Sequence, residues 1–215
     1  VAYFAIELDR LGVEVRAGRA IEADSMQDLK GAEAVILATG VRPRHPELRG
    51  IELPHVRTYT QALLEPAADG GPAVIIGAGG IGVDVAHYLS HSGCRVTLMR
   101  RGAPIGEHIG RSTRWVLLRA LRERGVEMLT GVSYERIARE GILIRDADGR
   151  SRLIEARQVI IAAGQQPHDP LSAALERAGR RFRVVGSARA AGELDAVRAF
   201  REGALAAHAL SSGQP

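Results

Sequence analysis

The hydrophobic pattern consists of short unbroken apolar runs alternating with stretches in which apolar residues recur every three or four positions. Unbroken runs of this length predict buried parallel strands, and the spaced pattern predicts amphipathic helices. Strands are predicted at residues 13–15, 34–40, 73–76, 94–99, 126–129, 158–164 and 182–186. Helices are predicted around Phe4 to Leu11, from Ile81 to Leu89, from Ser112 or Thr113 to Gly125, from Leu171 to Ala178 and from Glu193 to Leu210.

Two regions depart from this alternation of strand and helix. Residues 41–54 contain three prolines and a glycine, which predicts an irregular connection. Residues 134–154 form short alternating segments around Gly141 and Asp148-Gly149, which predicts an antiparallel meander.

The pattern as a whole predicts an α/β fold, with a Rossmann-like parallel sheet, helices on both of its faces and a small antiparallel meander. The ends of two strands are alike, Val-Ile-Leu-Ala-Thr-Gly at 35–40 and Val-Ile-Ile-Ala-Ala-Gly at 159–164. They are either two ordinary buried strands or the points where the chain leaves an outer domain and returns to it. On the second interpretation, a nucleotide-binding domain at 71–157 is inserted between two pieces of another domain at 1–70 and 158–215.

The strand at 73–76 runs directly into a glycine-rich turn, Gly77-Ala78-Gly79-Gly80-Ile81-Gly82, and then into a helix. Strand, turn and helix in this order form the context of a dinucleotide-binding fingerprint. Gly77 would permit the tight turn, Gly79 the close approach of backbone amides to a pyrophosphate, and Gly82 close packing of helix on strand. A structural glycine turn without a ligand is the alternative.

The end of the next strand indicates which nicotinamide cofactor would bind. An acid at this position hydrogen-bonds the ribose of NAD, whereas an arginine accommodates the 2′-phosphate of NADP. Arg100 lies 18 residues past Gly82 and is followed by Arg101, with no acid beside them. The two arginines therefore favour NADPH over NADH, although most arginines in so arginine-rich a chain serve a solvated surface.

Composition excludes several classes of site. The only cysteine is Cys94, so the chain holds no internal disulfide, Cys-x-x-Cys pair or cysteine-ligated cluster. The net charge of +4 comes with only 4% aromatic residues and no basic run interleaved with aromatics, so a nucleic acid is not an expected partner. No apolar run reaches the length of a membrane span and no secretory signal is present, so we expect a cytoplasmic protein with no membrane partner.

Other candidate groups carry less weight. His87 and His91 lie four residues apart on one helix but lack a companion Glu, so no metal site is predicted. Ser112 and Thr113 are interpreted as a helix cap rather than as nucleophiles. Glu107 and His108 are either loop surface or part of a nicotinamide cleft. No catalytic acid or base is predicted, because hydride transfer from a nicotinamide is chemistry of the cofactor.

Several stretches resemble the two-dinucleotide flavoproteins, and within them the C-terminal half of NADPH-dependent 2,4-dienoyl-CoA reductase. The resemblance rests on residues 77–84, 131–134, 163–167 and 193–196, in matching order and spacing. It implies NADPH and FAD as cofactors, with FMN and an iron–sulfur cluster in an N-terminal barrel that this sequence does not contain. It also implies that the first strand and glycine turn of the FAD domain precede Val1.

The resemblance further implies which residues contact the flavin. They are Thr39, Gly40, Ala163, Gly164, Gly186, Ser187 and Leu194. Ser187 stands where the family has an acid. The expected function is therefore the reductase part of a flavoenzyme, and two alternatives remain. One is a ferredoxin-reductase-like subunit that serves a separate partner, and the other is a non-catalytic nucleotide-binding module.

Overall fold

A computed structural model describes residues 2–65, 70–102, 104–192 and 196–212. The chain forms two compact units, and each is described by itself. Unit 1 contains residues Val1–Gly40 and Pro167–Pro215, and unit 2 contains residues Val41–Gln166.

Short strands and helices make up both units. The strands are β1 (Val35–Leu37), β2 (Val41–Pro43), β3 (Val56–Thr58), β4 (Ala73–Ile76), β5 (Val96–Arg100), β6 (Glu127–Thr130), β7 (Ser133–Ala138), β8 (Gly141–Arg145), β9 (Ser151–Glu155), β10 (Gln158–Ile161), β11 (Gln165–Pro167) and β12 (Phe182–Val184). The helices are α1 (Ala2–Arg10), α2 (Tyr59–Leu64), α3 (Gly80–His91), α4 (Arg111–Glu123), α5 (Ser172–Arg177) and α6 (Ala196–Ser211).

Unit 2 is built on a five-stranded parallel sheet in the order β3-β10-β4-β5-β6. The central strands β4 and β10 are buried along their whole length, which is why their sequences are unbroken apolar runs. The α/β fold with a parallel sheet, predicted from these runs, is confirmed.

The two faces of this sheet are covered by different kinds of structure. Ile75 and Ile160 point into a core shared with α2, α3 and α4. Their neighbours Val74 and Val159 point to the other face, into a core completed by the meander β7-β8-β9. The meander is antiparallel as predicted, but it covers the face on which helices were also expected. The physical reason is that the chain links β6 to β10 through strands, while helices link β4 to β5 and β5 to β6.

Unit 1 contains a two-stranded parallel ladder of β1 and β12, in which Val35 lies opposite Phe182. Leu37, Leu171 and Leu175 form a small core beneath it. Residues 13–15, predicted as a strand, are irregular, because no strand in the described ranges pairs with them.

Helix boundaries follow backbone signals more closely than side-chain signals. Gly12 adopts a φ of 68° just after α1, as expected of a terminating glycine. The prediction that Ser112 or Thr113 caps α4 is wrong, because Gly110 is the N-cap and both residues lie inside the first turn. Helix α4 thus begins without a side-chain cap.

Across the four described ranges, no helix is both long enough and apolar enough to cross a membrane.

The division into units differs from the predicted domain ranges. Strands β3 and β10 lie outside residues 71–157, yet both belong to the parallel sheet of unit 2, because β10 pairs with β4 and β3 pairs with β10. The chain leaves unit 1 after Gly40 and re-enters it at Pro167. The assignment of a flavin-binding role to the outer pieces stays a prediction.

Burial in the helix-covered core should dominate the stability of unit 2. Leu98 is fully buried on β5, whereas Leu153 on β9 is 46% exposed. We expect Leu98→Ala to lower the free energy of unfolding by about 2–5 kcal/mol, through lost burial and a residual cavity. Leu153→Ala removes the same atoms from a solvated position, so its effect should stay below about 1 kcal/mol. Urea unfolding of both variants checks this, and equal losses would contradict it.

Candidate nucleotide-binding site

The turn between β4 and α3 requires glycine at its first and last fingerprint positions. Gly77 has a φ of 107°, and a Cβ there would lie 2.3 Å from the carbonyl oxygen of Ala162. A Cβ on Gly82 would lie 1.9 Å from the carbonyl oxygen of Gly77. Both contacts are far shorter than non-bonded atoms allow. The turn therefore lies against the end of β10 because Gly77 lacks a side chain, and α3 packs against the end of β4 because Gly82 lacks one.

The two middle glycines face open space instead. A Cβ on Gly79 or on Gly80 would meet no described atom within 4 Å. Gly79 is the N-cap of α3 and has no side chain to accept from the first-turn amides. The first-turn N–H groups of α3, at the positive end of the helix dipole, therefore have no capping side chain. This arrangement fits the pyrophosphate of a dinucleotide.

The turn lies at the point where the strand order of the sheet reverses. After β4 the chain crosses through α3 to β5 on one side, while β10 lies on the other side of β4. The amide of Ala162, just past β10, donates to the carbonyl of Ile76 at 2.8 Å, so the two strand ends stay together. A crevice at the carboxyl ends of strands beside such a switch is where open α/β sheets bind ligands.

Arg100 ends β5 and is already engaged by the loop that follows it. One of its terminal nitrogens, Nη2, pairs with the Glu107 carboxylate, and the other, Nη1, donates to the Pro104 carbonyl at 2.8 Å. The side chain of Arg100 is 24% exposed. Glu107, predicted to be either loop surface or part of a nicotinamide cleft, therefore forms an ion pair with Arg100.

The loop that carries Glu107 is fixed against the glycine turn. The Gly106 amide donates to the Ala78 carbonyl at 2.7 Å, and Ile105 is buried in the helix-side core. Arg114 on α4 donates from Nε to the Ile105 carbonyl at 2.7 Å. These contacts hold Glu107 beside both the fingerprint and the end of β5.

The side chain of Arg101 lies in a different environment from that of Arg100. It is exposed, and its guanidinium carbon lies 5.9 Å from the centroid of the Tyr134 ring, within cation–π range. The Tyr134 hydroxyl donates to the Met99 carbonyl at 3.2 Å, which fixes the ring at the end of β5. Burial raises the pKa of Tyr134 to about 12, while Arg101 and Arg100 act in the opposite direction. Tyr134 is therefore a neutral, apolar platform at neutral pH.

Ala163 and Gly164 follow β10 and are held by Arg44. Its Nε donates to the Ala163 carbonyl at 2.9 Å, and Nη2 donates to the same oxygen. Gly164 has a φ of 102°, and a Cβ there would lie 3.4 Å from the Arg44 guanidinium. The role of Arg44 was not predicted, because its partner lies 119 residues further along the chain.

Thr39 and Gly40 end the first segment of unit 1. The Thr39 hydroxyl donates to the His168 carbonyl, and the His168 amide donates to the Gly40 carbonyl at 3.0 Å. Gly40 has a φ of 76°, and a Cβ there would meet no described atom within 4 Å. The turn after β1 is thus fixed by its hydrogen bonds to His168, and the space beside the Cα of Gly40 is open.

Gly186 and Ser187 form the matching turn of unit 1, beyond β12. Gly186 has a φ of 61° and open space beside it, but its amide donates to the Glu202 carboxylate at 2.6 Å. Glu202 also pairs with Arg189, and these two hydrogen bonds lower the pKa of the Glu202 carboxyl. A carboxylate from α6 therefore stands at the turn where Ser187 replaces the expected acid. Leu194, the remaining predicted contact, lies outside the described residues.

The parallel sheet, the glycine turn at its switch point and the uncapped start of α3 define a dinucleotide-binding protein. The family model for pyridine nucleotide-disulphide oxidoreductase matches residues 5–187, so the chain belongs to this family. Members of the family bind FAD and NAD(P)H and act as oxidoreductases.

Individual relatives agree with this assignment. The chain is 32% identical to an NADH oxidase of Thermoanaerobacter brockii over 89% of its own length, and 30% identical to a bilirubin reductase of Mediterraneibacter gnavus over 97%. It spans 30% and 32% of those two proteins. Among solved structures it is similar to a 2-naphthoyl-CoA reductase, with a TM-score of 0.85 and 25% identity, covering 94% of this chain and 30% of that one.

Proposed function

We propose that this chain is the NADPH-binding reductase part of a larger flavin-dependent oxidoreductase similar to 2,4-dienoyl-CoA reductase. In this role the nicotinamide would supply a hydride to FAD, and electrons would pass from FAD to a barrel domain bearing FMN and an iron–sulfur cluster. The chain's own residues bind and orient the nucleotides. A cytoplasmic location is part of the same proposal.

One observation carries the proposal. Gly77 and Gly82 are packed so tightly that side chains are excluded, whereas Gly79 and Gly80 face open space at the start of an uncapped helix. A turn built only for tight packing would have no reason to leave its middle glycines open. The residues that would hold the nicotinamide dinucleotide are Gly77, Ala78, Gly79, Gly80, Ile81 and Gly82.

The preference for NADPH rests on Arg100 and Arg101. Arg100 is the last residue of β5 and Arg101 directly follows it, so both side chains belong to the carboxyl end of this strand. A guanidinium binds a phosphate dianion through charge-assisted and often bidentate hydrogen bonds. The relative named NADH oxidase makes NADH the competing cofactor, so each binding measurement includes both nucleotides.

The flavin contacts belong to the same proposal. They are Thr39, Gly40, Ala163, Gly164, Gly186, Ser187 and Leu194. The open space beside Gly40 and Gly186 supports this assignment. The Glu202 carboxylate, which already occupies the Gly186 amide, instead favours a non-catalytic nucleotide-binding module. Titration with FAD separates the two, since the module would bind NADPH without flavin.

The electron acceptor is proposed to be a coenzyme A thioester with a conjugated double bond. Support comes from the 2-naphthoyl-CoA reductase, whose structure was determined as a complex with 2-naphthoyl-CoA. Another relative is named for a different acceptor, bilirubin. A ferredoxin-reductase-like subunit with a separate protein partner is the remaining alternative.

Replacing Gly79 tests the pyrophosphate site directly. Gly79→Ala places a methyl group in the open space at the start of α3, so we expect NADPH to bind at least about tenfold more weakly, a loss of roughly 1.4 kcal/mol. The protein should still fold, because Gly79 has an ordinary φ of −74° and no atom to clash with. Fluorescence titration with NADPH measures the effect.

Gly110→Ala is the matched control for this variant. Gly110 is also an N-cap glycine without a side-chain cap and with open space beside it, but it begins α4. The two variants should lose similar stability, and only Gly79→Ala should lose NADPH affinity. Unchanged affinity in Gly79→Ala would contradict the proposed site.

Reversing the two arginine charges tests the choice of cofactor. The double change Arg100→Glu with Arg101→Glu should weaken NADPH at least about tenfold more than NADH, because only NADPH carries the 2′-phosphate. Calorimetric titration with both nucleotides gives the ratio. Arg119→Glu with Arg122→Glu, on the exposed side of α4, makes the same change in net charge and should leave the ratio unaltered. Equal losses for the two cofactors would show that the pocket lies elsewhere.

A further inference from the structure

The guanidinium of Arg100 has a partner within the chain. Its Nη2 pairs with the Glu107 carboxylate while its Nη1 donates to the Pro104 carbonyl. Both acceptors belong to the loop that follows β5. The guanidinium is thus held by one negative charge and one carbonyl.

The position of Glu107 is fixed by the contacts of the two residues that precede it. It directly follows Gly106, whose amide donates to Ala78 within the glycine turn at 2.7 Å. Gly106 has a φ of 67°, and the preceding Ile105 is buried. The loop is therefore held against the fingerprint on one side, and Glu107 reaches across to the end of β5 on the other.

We propose that Glu107 determines the selectivity of the site between NADPH and NADH by occupying Arg100. This inference rests on the proposed function, because it concerns the same 2′-phosphate pocket. A 2′-phosphate competes with the Glu107 carboxylate for one guanidinium, and the two anions repel each other at short range. The carboxylate lowers affinity for NADPH as long as it remains on Arg100.

The same carboxylate has the opposite effect on NADH. A ribose 2′-hydroxyl donates a hydrogen bond to an acid in this part of a dinucleotide site. The sequence carries no acid beside Arg100 and Arg101, but the loop brings one to the Arg100 guanidinium from seven residues further along. Together, Glu107 and Arg100 thus let the site accept both nucleotides, with a modest preference for NADPH.

The contrast between the two arginines supports this division of roles. Arg101 faces the Tyr134 ring and is exposed, while Arg100 is partly buried against Glu107. Removal of the Glu107 charge therefore alters the field at Arg100 without removing either arginine. Removal of this charge should change the ratio of NADPH affinity to NADH affinity. It should leave pyrophosphate binding at the start of α3 unaltered.

The test uses Glu107→Gln in the 215-residue chain, with dissociation constants for NADPH and NADH measured by fluorescence at fixed ionic strength. We expect NADPH to bind about five- to tenfold more tightly and NADH to bind equally well or more weakly. Glu107→Ala should shift the ratio in the same direction. Melting temperatures of the variants establish that each is folded.

Glu123→Gln is the control for net charge. Glu123 forms an exposed ion pair with Arg119 on α4, so its replacement changes the charge by the same amount away from the turn. It should leave the NADPH-to-NADH ratio unchanged. A ratio that stays constant in Glu107→Gln, or that moves equally in Glu123→Gln, overturns the role of Glu107 while the proposed function stands. Failure of the unaltered chain to bind either nucleotide overturns the proposed function and this role together.

Discussion

The site depends on one close contact, the approach of α3 to the end of β4. Gly82 lies against the carbonyl of Gly77 so closely that a methyl group would be 1.9 Å from the oxygen. Because the helix begins this near the strand, its free amides lie at the carboxyl edge of the sheet rather than in a loop. The loop bearing Glu107, the end of β10 and the side chain of Arg100 are then arranged around the same corner.

Local features of the site were predictable because they depend on neighbouring residues. The buried strands follow from apolar runs, and the turn follows from the spacing of Gly77, Gly79 and Gly82. The covering of one sheet face by the meander was not predictable, because apolar alternation in β7 to β9 identifies strands but not the surface on which they pack. The prediction of Ser112 as a cap failed because a glycine two residues earlier already supplies the extended backbone that starts α4.

Electrostatic partners were the hardest part to predict. Glu107 finds Arg100 through a loop held by the Gly106 amide, and Glu202 reaches Gly186 across 16 residues of chain. Glu202 brings an acid to the turn where Ser187 replaces the expected one, and Glu107 brings an acid to the end of β5, where none was expected. Charge at a nucleotide site is therefore set by the folded surface, and single positions in a motif are a partial guide to it. The two acids also mark where this chain departs from a simple site for anionic cofactors.

The most direct test of nucleotide binding at this turn is a crystal structure of the chain with NADPH bound. We predict that the pyrophosphate oxygens lie within hydrogen-bonding distance of backbone amides at the start of α3, next to Gly79 and Gly80. We also predict the 2′-phosphate at the end of β5. A nucleotide bound away from this turn, or a turn filled by side chains of the protein in the complex, would contradict the proposed site.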